Sequence, residues 1–306
     1  MMSACKLKRP PVFFIGMPRS GTTIVFEKFV ESLGFGWLSN YSEMYPSFPF
    51  INLLCPLLKN RLIDLSGHKK QYGKVRFGNR YMPQAVEAYA FWDRYARHDF
   101  SSDFLLEDIA TPEEQVRVCK AINKTLMFQG KNRFATKLTG PGRIIYIKSI
   151  FPDARFIHVV RDGRAVVGSL MKVDFWKDKG GFERPFWENG LSEDDLSAWY
   201  ETQHPAVLTA IEWVKVVNGI RNDSINLAED QYTEIRYEDF VQLPEDHIEK
   251  LYDFVGHREV ITQTAATDSN MIDRNRTNLT DIDSHVITII EMIMKDALMD
   301  YGYAIE

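Results

Sequence analysis

The stretch FFIGMPRSGTTIVFEKF, residues 13–29, restricts the possible folds of this chain more than any other. Its uninterrupted apolar start is typical of a strand buried on both faces of a parallel sheet. The Gly, Pro and Ser residues that follow predict a tight turn, and the apolar spacing after Thr22 predicts an amphipathic helix. A buried strand, a turn and a helix in this order indicate an α/β fold, in which helices cover a parallel sheet.

Further apolar runs are predicted to join the same sheet, and most are followed by a helical pattern. Strand and helix in alternation imply βαβ units with right-handed crossovers. A last amphipathic helix, VITIIEMIMKDALMDYG, is expected to end at Gly302 and to pack on the sheet. The predicted strands cover residues 12–15, 133–138, 155–160 and 232–237, with 36–39 as a weaker fifth, and the predicted helices cover residues 22–33, 164–172 and 245–255.

The stretch from residue 41 to residue 131 contains no convincing strand and is rich in aromatic residues, as in EAYAFWDRYARHDF. It predicts a large helical insertion. A second aromatic segment, residues 175–200, follows a later helix, and both would emerge at the carboxyl ends of strands, where open α/β sheets bind ligands. They are candidate walls of an acceptor pocket, with ordinary helix packing as the alternative. Since we find no internal repeat or low-complexity linker, residues 1–306 are interpreted as a single domain.

Composition excludes several classes of partner. A net charge of −5, from 37 basic and 42 acidic residues, gives no overall cationic field that would attract nucleic acid or an anionic membrane. Anion binding must therefore depend on locally placed Arg and Lys. The apolar run FPFINLLCPLL is too short and too rich in proline for a membrane span. With no signal-peptide pattern, and with three widely spaced cysteines that fit a reduced compartment better than a disulfide framework, a cytoplasmic protein is predicted.

The turn after the first strand has the composition of an anion site. Backbone N–H groups converge at a helix N-terminus, where the helix dipole is positive, and Gly16 and Gly21 allow a ligand to approach closely. Hydroxyl groups and one cation add to these donors. The spacing G-x-x-x-x-G-T-T matches a Walker A loop, but Thr22 stands where that motif has its Lys, which argues against ATP or GTP hydrolysis. A single 5′-phosphate fits better, and a plain glycine turn with Thr23 near a cap is the alternative. The side chains concerned are Arg19, Ser20, Thr22 and Thr23.

A second polar group follows another buried strand, in ARFIHVVRDGRAVVGSLMKV. Arg161 ends the strand and Ser169 lies on the helix after it, so both are expected at the same sheet edge as the first loop. An arginine there can bind a second phosphate in a bidentate manner, and a serine hydroxyl can complete the site. The alternative is that Arg161 and Asp162 form only a turn at a helix start.

These motifs together resemble the sulfotransferases that depend on 3′-phosphoadenosine 5′-phosphosulfate (PAPS), and their bacterial and Golgi-type branches in particular. The likeness is carried by PRSGTT, by FPDARFIHVVRDGRAVVGSL and by YTEIRYEDFVQLPEDHIEKLYDFVG, in this order. It covers the core strands and the C-terminal third, and leaves the insertion largely unmatched. The resemblance implies a P-loop-type parallel β-sheet flanked by helices. It also implies sulfonate transfer from PAPS to a hydroxyl or amine of a small-molecule, lipid or glycan acceptor.

The resemblance assigns roles to residues. The loop Arg19, Ser20, Gly21, Thr22 and Thr23 would bind the 5′-phosphosulfate, and Arg161 and Ser169 the 3′-phosphate. Tyr237 falls near the family's adenine-binding position, with core packing as the alternative. Arg274 and Arg276 would close a basic loop on the 3′-phosphate, with a solvated charged loop as the alternative. No metal is implied, and the sequence shows no His/Cys/Asp cluster to hold one.

Catalysis needs a cation at the leaving phosphate and a base at the acceptor. Arg19 suits the first task, and its loss is expected to lower kcat by on the order of 10²–10³. Lys137 matches a lysine of the family, but Thr139 stands where the small-phenol branch has its histidine. Glu43 lies in the interval of the Golgi-type glutamate. Walls formed by Tyr41, Tyr45 and Phe48 would desolvate it, as suits a general base, and a surface loop is the alternative. His204 and His98 are further candidates.

Two other functions remain open from the sequence. A P-loop kinase for a small metabolite would need a phosphate-loop Lys and a magnesium-binding Asp at a strand end, for which Asp162 is an approximate match. A non-catalytic nucleotide-binding protein would keep Arg161 and Ser169 without turnover.

Overall fold

Five parallel strands form the central sheet. The computed structural model describes residues 6–30, 34–58, 82–187, 189–256 and 282–305, and the sheet has the order β2-β3-β1-β4-β5. This confirms the predicted α/β fold with a parallel sheet. The strands are β1 (Val12–Gly16), β2 (Phe35–Gly36), β3 (Arg133–Thr139), β4 (Arg155–Val160) and β5 (Tyr232–Arg236).

β1 lies in the centre of the sheet, because it pairs with β3 on one side and β4 on the other. Gly16, its last residue, is in register with Thr139 of β3. The N–H of Gly140 donates to the carbonyl of Gly16 at 2.9 Å, which extends this pairing past the strand end. The segments that leave β1, β3 and β4 therefore start side by side at one edge of the sheet.

Helices cover the sheet, and alternating strand residues serve two separate cores. Phe13 and Ile15 of β1 belong to the larger apolar cluster, whereas Val12 and Phe14 belong to the cluster on the other face. In the described residues a 3₁₀ helix spans Pro49–Leu53. The α-helices are α1 (Thr22–Val30), α2 (Asn40–Met44), α3 (Leu54–Leu58), α4 (Tyr89–Tyr95), α5 (Pro112–Gln129), α6 (Ile144–Ile150), α7 (Gly163–Leu170), α8 (Asp174–Asp178), α9 (Glu193–Thr202), α10 (Pro205–Ser224), α11 (Tyr237–Gln242), α12 (Pro244–Phe254) and α13 (Ser284–Asp300).

The described parts of the predicted insertion contain helices and no ladder strand, as expected. Ser39 and Ala85 form an isolated antiparallel bridge between the segment after β2 and the insertion. The weak fifth strand is confirmed as β2, but it spans Phe35–Gly36 and ends before most of the predicted range. Tyr237, predicted at the end of a strand, is the first residue of α11.

The longest helix, α10, has no counterpart among the predicted elements. Residues 206–213 at its start are all buried. A helix enclosed on all sides is apolar all round and does not show the alternation of apolar and polar faces from which an amphipathic helix is recognised. The spacing of apolar residues by which the other helices were predicted is therefore missing from residues 206–213.

The cysteines differ from the expectation of a reduced set. Cys55 is a free, buried thiol, whereas Cys119 on α5 is disulfide-bonded. Within the described ranges, no helix has the length and apolar character needed to cross a bilayer.

Candidate active site

The loop between β1 and α1 makes a sharp turn that depends on its glycines. Gly16 has a φ of +151°, and a Cβ placed there would overlap the carbonyl oxygen of Val159 on β4. The N–H of Ser20 donates to the carbonyl of Met17 at 3.1 Å and closes the turn. Helix α1 then begins at Thr22, and the N–H groups of Ile24 and Val25 donate to the carbonyl of Gly21 at 3.0 and 3.3 Å, so the N–H groups of Thr22 and Thr23 precede the first helical hydrogen bonds. This is the geometry of an anion-binding loop.

Arg161, at the end of β4, reaches this loop directly. Its Nη1 donates to the carbonyl of Arg19 at 2.9 Å, and the residue is 6% exposed. Its guanidinium carbon lies 4.8 Å from the ring centroid of Tyr237. The same ring packs on Gly21, where an added Cβ would lie 2.2 Å from Cδ2 of Tyr237, too close for two non-bonded carbon atoms. Arg161, Tyr237 and Gly21 therefore form one packed unit beside the loop.

Ser169 on α7 completes this group. Its Oγ accepts a hydrogen bond of 2.9 Å from Nε of Arg19, although the two residues lie 150 positions apart in the chain. Arg19 has a φ of +73°, in the left-handed region that residues other than glycine rarely adopt. The structure thus brings together Arg19, Gly21, Arg161, Ser169 and Tyr237, which the sequence analysis selected from three separate motifs.

A buried cation lies on the other side of the loop. Lys137 of β3 is fully buried, and its Nζ donates to Oγ1 of Thr23 at 2.6 Å. The same ammonium lies 3.0 Å from Oε1 of Glu87, whose side chain is 18% exposed. Lys137 therefore connects the first turn of α1 to a carboxylate of the insertion.

Glu87 was not among the residues selected from the sequence. It stands at the start of the aromatic segment EAYAFWDRYARHDF, immediately before α4. A carboxylate just before an aromatic helix is a weak signal, since acidic residues are common at helix starts. Only its partner Lys137 distinguishes it from the other acidic residues of the insertion.

Tyr89 lines the same edge. Its hydroxyl donates to the carbonyl of Thr139 and accepts from the N–H of Thr139 at 3.1 Å. Burial raises the pKa of Tyr89 to about 12. Tyr89 is therefore a neutral phenol at physiological pH and holds the end of β3 in place.

Glu43 lies at the start of α4. The residue is exposed, and its Oε2 accepts from the N–H of Ala90 at 3.0 Å, so it caps the start of α4. The aromatic enclosure expected around it does not form, since Tyr45 and Phe48 are 49% and 54% exposed. The reason is that the buried face of α2 is turned the other way, with Tyr41 and Ser42 inside.

The other candidates have structural partners or fall outside the described ranges. Nδ1 of His204 accepts from the N–H of Ala206 at 3.2 Å as the cap of α10, and His98 is exposed. Asp162 caps α7 and pairs with Arg164 at 2.8 Å. Arg274 and Arg276 lie outside the described residues.

The second aromatic segment does reach the sheet edge. The indole of Trp187 lies against Gly140, the residue after Thr139, where no Cβ would fit. Phe186 stacks on Trp176 with ring centroids 4.4 Å apart. The carboxyl of Glu212 on α10 fixes this segment by accepting from the N–H of Phe186 at 2.6 Å. Trp187 of this segment therefore covers the carboxyl end of β3.

The donors of the loop suit a phosphate. Ser20 and Thr22 are 1% and 2% exposed, and Oγ1 of Thr22 makes no hydrogen bond within the described part of the chain. Buried hydroxyl groups are rarely left without a hydrogen bond, which makes Thr22, beside Gly16, an unusual position in the loop. Across the described ranges, no group of three or more His, Cys, Asp or Glu side chains is arranged to hold a metal ion.

The match to a protein-family model agrees with this geometry. The model of the sulfotransferase family matches residues 10–259. Omega-hydroxy-beta-dihydromenaquinone-9 sulfotransferase Stf3 from Mycobacterium bovis, and the protein of the same name from Mycobacterium tuberculosis, are each 24% identical to this chain over 262 residues. Each match covers 81% of this chain and 63% of the relative, so the chain spans under two thirds of their length.

Two solved structures share the fold. Sulfotransferase STF9 from Mycobacterium avium has a TM-score of 0.57 and 15% identity, with 97% of this chain and 78% of that chain covered. The sulfotransferase domain from the curacin biosynthetic pathway has a TM-score of 0.53 and 13% identity, with 98% and 100% covered.

Proposed function

Since the chain belongs to the sulfotransferase family, we propose that it transfers the sulfonate group of PAPS to a hydroxyl, or an amine, of a small-molecule or lipid acceptor. One observation carries the proposal. Arg161 and Ser169 both bond to Arg19 of the phosphate loop, at 2.9 Å each. Two cationic sites suited to phosphate therefore lie next to each other, as a ligand with two separate phosphate groups requires.

In this proposal the loop binds the phosphosulfate end of the donor. Ser20, Thr22 and Thr23 supply hydroxyl groups, and the first turn of α1 supplies N–H groups. Arg161 and Ser169 bind the 3′-phosphate, and the ring of Tyr237 packs near the adenine. Arg274 and Arg276, predicted to close over the 3′-phosphate, remain part of the proposal.

PAPS supplies an activated sulfonate whose bond to the 5′-phosphate oxygen breaks as the bond to the acceptor oxygen forms. Negative charge then builds on the leaving phosphate. The guanidinium of Arg19 and the N–H groups of α1 stabilise that charge. Lys137 adds a buried cation beside Thr23.

We assign the general base to Glu87. Its carboxylate lies next to Lys137 at the edge where β1 and β3 end, so an acceptor placed at the loop can reach it. Ionised Glu87 takes the acceptor's proton, and Lys137 keeps the carboxylate oriented. Glu43, the base suggested by the sequence, is turned to the start of α4 instead.

The acceptor class rests on the relatives. Stf3 is named for a hydroxylated menaquinone derivative, which is a lipid alcohol. Trp187 and Tyr89 both contact the end of β3, at Gly140 and Thr139, and aromatic side chains there suit an acceptor that is largely apolar. A glycan acceptor has no comparable support from these walls.

A ligand-binding experiment tests the proposal against a kinase. Adenosine 3′,5′-bisphosphate is expected to raise the melting temperature without magnesium, whereas ADP with magnesium is expected to have little effect. Ligand at about 100 times its Kd stabilises the folded state by about 2.7 kcal/mol, which a thermal melt detects. The reverse preference would favour a kinase. Bisphosphate binding without transfer of labelled sulfonate to any acceptor in a screen would favour a non-catalytic binding protein.

A further inference from the structure

The region after β2 exposes an unusual number of large apolar side chains. Sixteen such side chains are exposed in the described residues, and six of them fall between Met44 and Leu54. Scattered exposed apolar residues are normal, but a contiguous group marks an interaction surface. We call this group the apolar patch; it consists of Met44, Tyr45, Phe48, Phe50, Leu53 and Leu54, which are 39–56% exposed.

The apolar patch is displayed by a firmly anchored segment. Its elements bury a polar network on their inner side, where Oγ of Ser39 donates to Oδ1 of Asn52 at 2.9 Å. Nε2 of Gln129, on α5, donates to the same oxygen at 3.2 Å. Asn52 is 1% exposed. The inner face of the segment is therefore fixed on α5, and its apolar side chains point outward from it.

A cluster of cations adjoins the apolar patch. A cleft of about 440 Å³ is lined by Arg94, Arg117, Lys120 and Lys124, together with Tyr95 and Ala121. We call it the basic cleft. None of these lining residues is acidic, although the chain as a whole carries a net charge of −5. The basic cleft therefore concentrates positive charge against the overall balance of the protein.

One side chain joins the two features. Tyr95 lines the basic cleft, and its hydroxyl donates to the carbonyl of Pro46, inside the apolar patch, at 2.9 Å. Helix α5, which carries three of the four cations, packs against the 3₁₀ helix of the apolar patch. The two features are therefore neighbouring parts of one face.

From this arrangement we propose that the apolar patch and the basic cleft form a docking face for an anionic lipid bilayer. Peripheral proteins bind such surfaces by placing aromatic and aliphatic side chains in the interface while Arg and Lys contact the phosphate groups. Tyr45, with its apolar ring and polar hydroxyl, suits the interface in particular. The face supplies both contributions.

A second copy of this chain fits the face less well. A symmetric dimer formed through it would enclose the four cations of each basic cleft in one interface, and the cleft lining supplies no acidic residue to pair with them. Like charges across an interface oppose association. A surface rich in phosphate, by contrast, is complementary to the basic cleft. The inference does not depend on the proposed transferase activity, because bilayer binding is measured without donor or acceptor.

The test is co-flotation of the full chain with phosphatidylcholine vesicles that contain phosphatidylglycerol, compared with vesicles of pure phosphatidylcholine. We expect binding to the anionic vesicles that weakens as salt is raised. Phe48→Ser with Phe50→Ser, and separately Lys120→Glu with Lys124→Glu, are each expected to weaken binding by about tenfold or more. Thermal melts verify that the variants are folded.

Matched controls use exposed residues away from this face. Lys250→Glu with Lys295→Glu reverses the same number of charges on α12 and α13, which pack on α1 and α11 and on α7 and α10 respectively, and Met292→Ser removes a side chain that is 70% exposed on α13. Both controls are expected to bind as the natural chain does. The proposal is overturned if the natural chain ignores anionic vesicles, or if the controls lose as much binding as the patch and cleft variants. Self-association abolished by the Phe48 and Phe50 changes, without vesicle binding, would also overturn it and identify a second copy as the occupant.

Discussion

The ammonium of Lys137 lies 3.0 Å from the carboxylate of Glu87 and 2.6 Å from the hydroxyl of Thr23. A single buried cation thereby links the phosphate loop to the insertion. Leaving Lys137 buried without a carboxylate would be costly, so the pair is held firmly. This link distinguishes Glu87 from the other carboxylates near the sheet edge.

Replacing each of the two candidate bases separates their roles. Glu87→Gln is expected to lower kcat for sulfonate transfer by about 10²-fold or more, because an amide cannot accept the acceptor's proton. Glu43→Gln is expected to keep near-normal turnover, because the amide oxygen can still accept from the N–H of Ala90. The measurement is kcat with labelled PAPS at saturating acceptor.

Binding of adenosine 3′,5′-bisphosphate serves as the control for both variants and should change little. If Glu43→Gln abolished transfer while Glu87→Gln retained it, the assignment would return to Glu43.

Replacing Arg161 tests which phosphate it binds. Arg161→Ala is expected to weaken binding of adenosine 3′,5′-bisphosphate by about tenfold to a hundredfold, because a charge-assisted hydrogen bond is lost. AMP, which lacks the 3′-phosphate, should lose much less. Calorimetric titration with both ligands gives the comparison. Equal losses for the two ligands would show that Arg161 acts only through its bond to the Arg19 carbonyl.

Gly21→Ala tests the packing of the loop on Tyr237. An added methyl group would overlap the Tyr237 ring, and the φ of +87° is itself unfavourable for alanine. The expected result is a clear loss of bisphosphate affinity and a drop in unfolding free energy of about 1–3 kcal/mol.

Gly130→Ala is the matched control for the strain alone. Gly130 has a φ of +65°, and a Cβ there would meet nothing within 4 Å. This variant should show a smaller loss of stability and unchanged ligand binding. Equal effects of the two substitutions would mean that the contact with Tyr237 contributes nothing.

Glu212 should make stability depend on pH. Burial raises the pKa of its carboxyl from the ordinary 4.5 to about 8. Below pH 4.5 both the folded and the unfolded chain hold the proton, and between pH 4.5 and pH 8 the unfolded chain releases it first. Stability contributed by this group is therefore lost as the pH rises through this window.

Glu212→Gln removes that titration while it keeps an oxygen that can accept from the N–H of Phe186. The melting temperature of the natural chain is expected to fall relative to the variant as the pH rises from 4.5 to 8. Burial lowers the pKa of His158, so this group contributes a stability that changes with pH in the opposite direction. Because both proteins contain His158, its contribution cancels when their melting temperatures are subtracted. Parallel melting curves across this range would contradict a neutral buried Glu212.

Most of the sheet and half of the site were predictable because their signals are local. Apolar runs marked β1 and β4, and the predicted bounds of residues 155–160 agree with β4. The predicted strands at 133–138 and 232–237 also correspond to β3 and β5, although these contain charged residues such as Lys137 and Glu234. Gly16 and Gly21 marked a turn that other residues cannot adopt. Once parallel strands are inferred, topology requires that Arg161 end near the loop, because carboxyl ends of adjacent parallel strands share an edge.

The remainder depends on contacts between distant segments, for which the chain carries no local pattern. Glu43 and Glu87 are both acidic residues near short helices, and only folding shows that one faces solvent and the other faces Lys137. The first half of helix α10, residues 206–213, is buried on all sides, so the periodicity of an amphipathic helix is lost there. Backbone conformation follows from each residue's own stereochemistry and polarity, and is therefore readable one segment at a time. The surroundings of a side chain are decided only when all segments pack together, and those surroundings distinguish a helix cap from a base.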